Sequence, residues 1–270
     1  MKRPPRALCS LQAPAGVQGR SAGMIGPQGP IVSGYAPWGL VSGFGRPGAT
    51  DMLTLEGVSA QIAGVVVLRG ITTTFQEGDT VAIVGRNGAG KTTLLRLVMG
   101  FMPKHGGQVS LEGRNLDAVP ARDRARLGIG YAPEERVMFP TFSVEENLRF
   151  PCEVIGMGRP AVDDRLAQTL SIVPELEPLL PRSGAALSGG QGKMAALGRA
   201  IMAGHRMVLL DEPFQGLAPV LAQQYAQSLR RLHAARPHLC IVITESNRSL
   251  LKDIPNRTLV LERGEVQTGE

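Results

Sequence analysis

The sequence contains no uninterrupted apolar segment of about 18 residues, which is the minimum for a helix that spans a bilayer. Any membrane role therefore has to come through a partner. Cysteine is scarce as well, since the 270 residues include only Cys9, Cys152 and Cys240. These scattered cysteines show no metal-ligand spacing, exclude a disulfide scaffold and favour a reduced, cytosolic setting.

Acidic residues are absent from the first fifty positions, which hold ten glycines, seven prolines and five basic residues. This composition predicts a disordered extension over residues 1–51. The extension lacks the apolar stretch that a secretory signal would contain. Residues 1–50 account for +5 of the chain's formal net charge of +6, so nucleic acid is not an expected partner of the folded part. Either the extension is native, or the natural start is Met52, where a strand-like run begins; we favour the second interpretation.

A glycine-rich segment, GRNGAGKTT at residues 85–93, follows the apolar run 80–84 and precedes a predicted helix. Strand, loop and helix in this order are the context of a phosphate-binding loop, because glycines let backbone N–H groups approach phosphate oxygens. Lys91 would reach the β- and γ-phosphates, and the Thr92 hydroxyl would ligate Mg²⁺. The predicted nucleotide-binding residues here are Gly85, Arg86, Asn87, Gly88, Ala89, Gly90, Lys91, Thr92 and Thr93.

A second apolar run, residues 207–210, ends in Asp211 and Glu212. Asp211 is predicted to hold Mg²⁺ through water, and Glu212 to polarise the water that attacks the γ-phosphate. Taken alone, such a pair is more often a solvated strand end. Its position after the phosphate loop gives it weight as a functional pair. The predicted catalytic residues are Glu212 and Lys91.

The pentapeptide LSGGQ at residues 187–191 lies between these two motifs. Ser188 is the predicted N-cap of a helix, and the glycines after it leave bare N–H groups that can face an anion. An ordinary capped helix is the alternative, which the spacing to Asp211 disfavours. The residues predicted to contact nucleotide here are Ser188, Gly189, Gly190 and Gln191.

The remaining pattern predicts alternating strands and helices. Short β-prone runs over residues 52–76 indicate an antiparallel sheet beside the nucleotide. The predicted helices cover residues 120–127, residues 143–150 and residues 163–173. We therefore expect a mainly parallel α/β core with a small helical lobe inserted at about residues 140–186.

LSGGQ between a phosphate loop and an Asp-Glu strand resembles the ATP-binding cassette (ABC) ATPases, and the resemblance covers roughly residues 52–270. It implies a P-loop NTPase (RecA-like) α/β fold, with a flanking antiparallel β subdomain and the inserted helical lobe. It also implies ATP and Mg²⁺ as ligands. Two cassettes would close over two ATP molecules, with Ser188 of one facing the γ-phosphate held by the other.

Within that family the chain is similar to the ATPase subunits of branched-chain amino-acid importers, and importers of urea and short amides look much the same. The likeness rests on GIGYAPE at residues 128–134, SVEENL at residues 143–148 and GLAP at residues 216–219. It implies transmembrane permease subunits, a second ATPase subunit (a copy or a paralogue) and, indirectly, a substrate-binding protein. The expected location is the cytoplasmic face of the inner or plasma membrane.

Four positions depart from the general family pattern. Glu134 replaces a glutamine that helps to hold Mg²⁺, and Ala218 replaces an aspartate; both are usual in the branched-chain group. Ile62 replaces the aromatic residue that stacks on adenine, a contact worth about 1–3 kcal/mol. Ser246 replaces the switch histidine at the γ-phosphate. Glu134 and Ser246 complete the predicted nucleotide site, and Glu134 is the third predicted Mg²⁺ ligand beside Thr92 and Asp211.

Other functions stay open at this point. Ile62 and Ser246 favour a catalytically weak or regulatory cassette that works in a heterodimer. A soluble ABC ATPase of DNA repair or translation would carry two cassettes or a coiled insertion, and neither is present. An exporter would commonly be fused to its membrane part.

Overall fold

Within residues 50–135, 138–251 and 254–267, which are the part of the chain that the computed structural model describes, the strands form two sheets. The strands are β1 (Asp51–Ile62), β2 (Val65–Gln76), β3 (Thr80–Val84), β4 (Gly106–Leu111), β5 (Arg114–Asn115), β6 (Ile129–Ala132), β7 (Met207–Asp211), β8 (Cys240–Glu245), β9 (Arg257–Glu262) and β10 (Glu265–Gln267). The α-helices are α1 (Lys91–Val98), α2 (Ala121–Arg124), α3 (Val144–Val154), α4 (Arg159–Ile172), α5 (Gly189–Ala203) and α6 (Pro219–Ala235). The predicted extension over residues 1–51 lies outside the described residues, apart from its last two positions.

The larger sheet has the strand order β10-β9-β3-β8-β7-β6, and it is parallel except for the edge strand β10. Every residue of β3, β7 and β8 is buried, as the continuous apolar runs predict for the centre of a parallel sheet. Successive side chains of β7 point to opposite faces, so Met207 and Leu209 join one apolar cluster while Val208 and Leu210 join another. Helices α3 to α6 cover the second cluster. The predicted mainly parallel P-loop α/β core is confirmed.

The smaller sheet is antiparallel, with the order β2-β1-β4-β5. β1 and β2 are joined by a two-residue turn in which Ala63 and Gly64 both have positive φ, 49° and 81°. Positive φ at both positions matches the right-handed twist of a hairpin. Part of the region predicted as short β-prone runs is thus one long strand, β2.

The helical region lies between β6 and β7 and contains α3, α4 and the 3₁₀ segment Pro174–Leu179. Ser143 and Glu146 form a capping box at the start of α3, with the Glu146 N–H donating to Ser143 Oγ at 3.1 Å and the Ser143 N–H donating to Glu146 Oε2 at 2.7 Å. The predicted end of α3 at residue 150 is wrong, because the helix continues through Pro151 to Val154. Proline removes one N–H donor, while its own carbonyl still accepts from the Ile155 N–H at 3.2 Å.

Two other helix boundaries also differ from the sequence prediction. The segment predicted as a helix over residues 120–127 is one α-helical turn followed by the 3₁₀ turn Ala125–Leu127, with Pro120 as its N-cap. Helix α4 begins at Arg159 rather than at residue 163, since Pro160 fits the first turn of a helix, where no N–H partner is needed. In the described part of the chain, no helix is long and apolar enough to cross a membrane.

Candidate nucleotide-binding and hydrolysis site

The phosphate loop connects β3 to α1 and lies directly on the backbone of two other strands. A Cβ atom on Gly85 would come within 2.3 Å of the Leu261 carbonyl oxygen, and one on Gly90 within 2.8 Å of Leu68 Cδ2. Gly90 also has a φ of 107°, which side chains rarely adopt. The Gly264 N–H, in the turn between β9 and β10, donates to the Ala89 carbonyl at 3.1 Å. Close packing therefore requires glycine at positions 85 and 90, in addition to the approach of phosphate that the sequence predicts.

Lys91, the first residue of α1, is buried inside its own loop. Its ammonium donates to the carbonyls of Gly85 at 2.7 Å and Arg86 at 3.2 Å, and to Ser246 Oγ at 3.0 Å. It also forms an ion pair with Glu212 Oε1 at 3.0 Å, in which both side chains are almost fully buried. The structure thus joins the phosphate loop directly to the predicted catalytic carboxylate.

Asp211 at the end of β7 accepts hydrogen bonds from three hydroxyl groups. Thr92 and Thr244 donate to its Oδ1 at 3.0 and 2.7 Å, and Tyr131 donates to its Oδ2 at 3.4 Å. Burial raises the pKa of Asp211 above its usual range, although the bonds from Thr244 and Thr92 oppose that shift. The pairing of Thr92 with Asp211 was a sequence prediction for the metal site, whereas Tyr131 and Thr244 were not predicted.

The oxygen donors of Thr92 and Asp211 suit Mg²⁺, which prefers hard oxygen ligands and keeps several waters. Among the residues that the structure describes, no group of three or more His, Cys, Asp or Glu side chains is arranged to hold a metal ion. Thr92 and Asp211 would hold Mg²⁺ together with oxygens of the nucleotide, and the predicted contribution of Glu134 stays a prediction.

Glu212 begins the turn after β7 in a left-handed conformation, with a φ of 45°. Its N–H faces the Thr244 carbonyl and hydroxyl oxygens, both at 3.1 Å. Its carboxylate accepts from the Ser246 N–H at 3.1 Å and from the Ser246 hydroxyl at 2.6 Å. Burial alone would raise the pKa of Glu212, but the bonds from Ser246 and Lys91 and the lysine charge outweigh it and lower the pKa. The ionised form, which can accept a proton, is thus favoured.

Ser246, which the sequence analysis predicted to replace a switch histidine, lies at the centre of this network. Besides its contacts with Lys91 and Glu212, its Oγ is 2.7 Å from Asn87 Oδ1. A hydroxyl has one proton, so Ser246 donates to either Glu212 or Asn87 at a given time. The structure therefore brings Asn87, Lys91, Thr92, Asp211, Glu212 and Ser246 together.

Three other predicted features lie apart from this network. Ser188 and Gln191 form a capping box at the start of α5, with Ser188 N–H to Gln191 Oε1 at 3.0 Å and Gln191 N–H to Ser188 Oγ at 3.4 Å. In the described part of the chain, no hydrogen bond joins them to the phosphate loop. Glu134 is half-buried in the turn after β6, and Ile62 is 50% exposed at the tip of the β1–β2 hairpin.

Lys193 and Glu245 also belong to the site, although the sequence analysis did not predict them. Lys193 on α5 donates to the Glu212 carbonyl, and Glu245 at the end of β8 accepts from the Phe214 N–H at 2.8 Å. Glu245 could have been anticipated, because it precedes Ser246 and the carboxyl ends of neighbouring parallel strands meet at one edge of a sheet. The Lys193 contact depends on how α5 packs, which no local pattern specifies.

A glycine-rich loop between a parallel strand and a helix, joined by hydrogen bonds and an ion pair to an aspartate and a glutamate at the end of β7, defines a P-loop nucleoside triphosphatase. Residues 68–215 match the family model described as ABC transporter. The chain belongs to this family, and it is an ATP-hydrolysing subunit of a transporter. The sequence resemblance to the ABC ATPases is confirmed.

Individual relatives are consistent with that assignment. The chain is 31% identical over 218 residues to the high-affinity branched-chain amino acid transport ATP-binding protein BraG of Pseudomonas aeruginosa, covering 80% of this chain and 91% of BraG. It is 32% identical over 219 residues to the lipopolysaccharide export system ATP-binding protein LptB of Acidithiobacillus ferridurans, covering 81% of this chain and 90% of LptB. A crystal structure of an ABC transporter's ATP-binding cassette in its ADP conformation aligns with a TM-score of 0.70 at 25% identity. The alignment covers 80% of this chain and 89% of that cassette.

Proposed function

We propose that this cassette powers the uptake of branched-chain amino acids or related small amides through separate permease subunits. The observation that carries the catalytic part of the proposal is the buried Lys91–Glu212–Ser246 network at the phosphate loop. The similarity to BraG and the segments 128–134 and 216–219 support the cargo class. LptB, at a similar identity, is named for lipopolysaccharide export, which makes that export the principal rival.

Each residue of the network has a role in this proposal. Lys91 would exchange the carbonyls of Gly85 and Arg86 for phosphate oxygens, which also releases it from Glu212. The freed Glu212 carboxylate would accept the proton of the attacking water. Mg²⁺, when bound, would neutralise phosphate charge at Thr92 and Asp211. Ser246 would orient Glu212 and take over the contact that the switch histidine makes in other members.

We further propose that the site is completed by a second cassette, either a copy or a paralogue. The capping box at Ser188 leaves the N-terminal end of α5 partly exposed, and its N–H groups favour an anion. The helical region around residues 140–186 and Glu134 would pass the closing motion to the permease. The domain division at residue 52 and the location at the cytoplasmic membrane face remain parts of this proposal.

The enzymatic part is tested by steady-state MgATP hydrolysis of the full chain. We expect Glu212→Gln to abolish turnover while MgATP still binds, because glutamine cannot accept the proton. Glu56→Gln, the same change at an exposed position of β1, is the matched control and is expected to hydrolyse like the wild type. Normal turnover by Glu212→Gln would contradict the role of Glu212.

The cargo is tested in cells of the source organism that lack this gene. Uptake of labelled leucine or urea that is restored by the wild type and not by Glu212→Gln would support the proposal. Normal uptake of both in the deletion strain, with lipopolysaccharide retained at the inner membrane, would favour export instead.

A weakly active cassette in a heterodimer is the second candidate. The observation that favours it is Ile62, since no aromatic face is available at that hairpin tip for adenine. MgATP binding without turnover by the full chain, and turnover restored by a co-expressed paralogue, would support this alternative.

A further inference from the structure

The turn that follows β7 carries both Glu212 and the start of the segment 216–219. It starts with Glu212 in the left-handed region, which a residue with a side chain adopts only when its surroundings hold it there. Two further backbone bonds shape the turn, from the Gln215 N–H to the Glu212 carbonyl at 3.3 Å and from the Leu217 N–H to the Phe214 carbonyl at 3.2 Å. The orientation of the Glu212 carboxylate therefore depends on what fixes this turn.

Glu245 fixes the turn from the neighbouring strand. Its Oε1 accepts the Phe214 N–H at 2.8 Å, and the side chain is only 1% exposed. The Phe214 ring packs edge-on against Tyr225 of α6, with ring centroids 5.3 Å apart, so the donor itself is held in place. A buried N–H that lost this acceptor would have no water to replace it.

Glu245 is buried among groups from three other elements. The charged or titratable groups near it are Glu212 in the turn, Lys193 on α5 and Tyr225 on α6. Burial favours the neutral acid, raising the pKa of Glu245 to about 8, and the negative charge of Glu212 acts in the same direction. A neutral acid beside the ionised Glu212 avoids repulsion between two carboxylates. A buried group with such a pKa is also a typical component of a functional site.

We propose that Glu245 is a positioning residue for ATP hydrolysis, because its bond to the Phe214 N–H fixes the turn that aims Glu212. In this role it acts through Glu212. The inference rests on the proposed role of Glu212 as the base. Glu245 thus fixes the turn from one side, while Ser246, the next residue, holds the carboxylate itself.

The test compares Glu245→Gln, Glu245→Met and Glu245→Asp in the full chain. Glutamine keeps an acceptor oxygen at the same reach, methionine keeps the length without that oxygen, and aspartate keeps the carboxyl group but is too short. Glu262→Met, at an exposed position of β9, is the matched control. The measurements are kcat and KM for MgATP, together with hydrogen exchange of the amides of residues 212–217.

We expect kcat of the Met and Asp variants to fall roughly tenfold to a hundredfold, as misplacement of a reacting group does, with KM within about twofold. Their Phe214 amide should exchange faster, whereas the Gln variant and the control should resemble the wild type in all measurements. Wild-type kcat in both the Met and Asp variants, or equal losses in Gln and Met, would overturn the positioning role. If one variant failed to fold, the other would still decide the question.

If the proposed role of Glu212 in ATP hydrolysis were wrong, these measurements would give a different result. A wild type without turnover, alone or with a co-expressed paralogue, would count against the proposed base role of Glu212. Hydrogen exchange at Phe214 would still decide whether Glu245 holds the turn, because that readout does not depend on turnover. Unchanged exchange in the Met and Asp variants would overturn the inference whatever the activity.

Discussion

At the scale of single residues, the Lys91 ammonium connects the phosphate loop that surrounds it to the rest of the site. Lys91 contacts two loop carbonyls, a hydroxyl and the carboxylate of Glu212, so the same ammonium that would bind phosphate also keeps Glu212 ionised. Replacing Lys91 therefore changes two functions at once.

Lys91→Ala is expected to weaken MgATP binding about tenfold to a hundredfold, since charge-assisted hydrogen bonds contribute roughly 1.5–3 kcal/mol. It should also raise the pKa of Glu212, because the buried carboxylate loses its cation. Equilibrium titration with MgATP measures the first effect. Lys104→Ala, which removes a surface ion pair with Asp117, is the control and should bind normally. Unchanged affinity in Lys91→Ala would contradict the assignment.

Glu245 predicts a dependence of stability on pH. Its native pKa is raised to about 8, mainly by burial, whereas an unfolded glutamate titrates near pH 4.3. Between these values the native protein binds a proton that the unfolded chain has released, so the free energy of unfolding falls as pH rises. The contribution is complete below about pH 4.3 and is lost as pH passes about 8.

Chemical denaturation at several pH values between about 5 and 8 measures that loss. Glu245→Gln cannot titrate, so we expect the wild type to lose stability relative to this variant as pH rises. Parallel curves for the two proteins would contradict the raised pKa. Glu212, Lys193 and Tyr225 are common to both proteins, so a difference between the curves reports the titration at position 245 together with its effect on Glu212.

At the scale of elements, two helices begin with capping boxes of the same type but have different proposed roles. Ser143 begins α3 and Ser188 begins α5, and each serine accepts from the N–H three residues later. Ser143→Ala and Ser188→Ala should each lower the free energy of unfolding by about 1 kcal/mol, as lost N-caps do. Only Ser188→Ala should also impair ATP-dependent association of cassettes. Equal association in both variants would argue against a contact at α5.

The elements that could be predicted are those with local signals. The buried runs of β3, β7 and β8 and both capping boxes can be read from neighbouring residues. The pairings of β4 with β1 and of β10 with β9 could not, because they join residues whose contact depends on the whole fold. Pro151 misled the prediction for α3, since surrounding packing tolerates a proline that local propensity would place at a helix end.

The sequence motifs predicted the central residues of the candidate site, but not the residues that hold them in position. Lys91, Asp211 and Glu212 follow from the loop and the Asp-Glu strand. Tyr131, Lys193 and Glu245 lie within or beside sequence motifs, but their contacts with the site form only when β6, α5 and β8 come together.

At the scale of the whole molecule, the proposed function requires two cassettes. Glu212→Gln should retain MgATP and therefore hold two copies together, giving a doubled mass by light scattering in the presence of MgATP. Combining it with Ser188→Ala should reduce that dimer, while the Ser143→Ala combination should not. A monomer at all MgATP concentrations would indicate that the partner is a different chain.

The contact between the phosphate loop and the β9–β10 turn has a consequence for the order of synthesis. The loop leaves the ribosome long before Leu261 and Gly264, which lie against Gly85 and Ala89 in the finished fold. A nascent chain that already contains the complete loop still lacks the backbone on which that loop rests. Tight nucleotide binding should therefore begin late in translation, when the hairpin emerges, and ribosome-bound chains stalled before residue 257 should bind MgATP poorly.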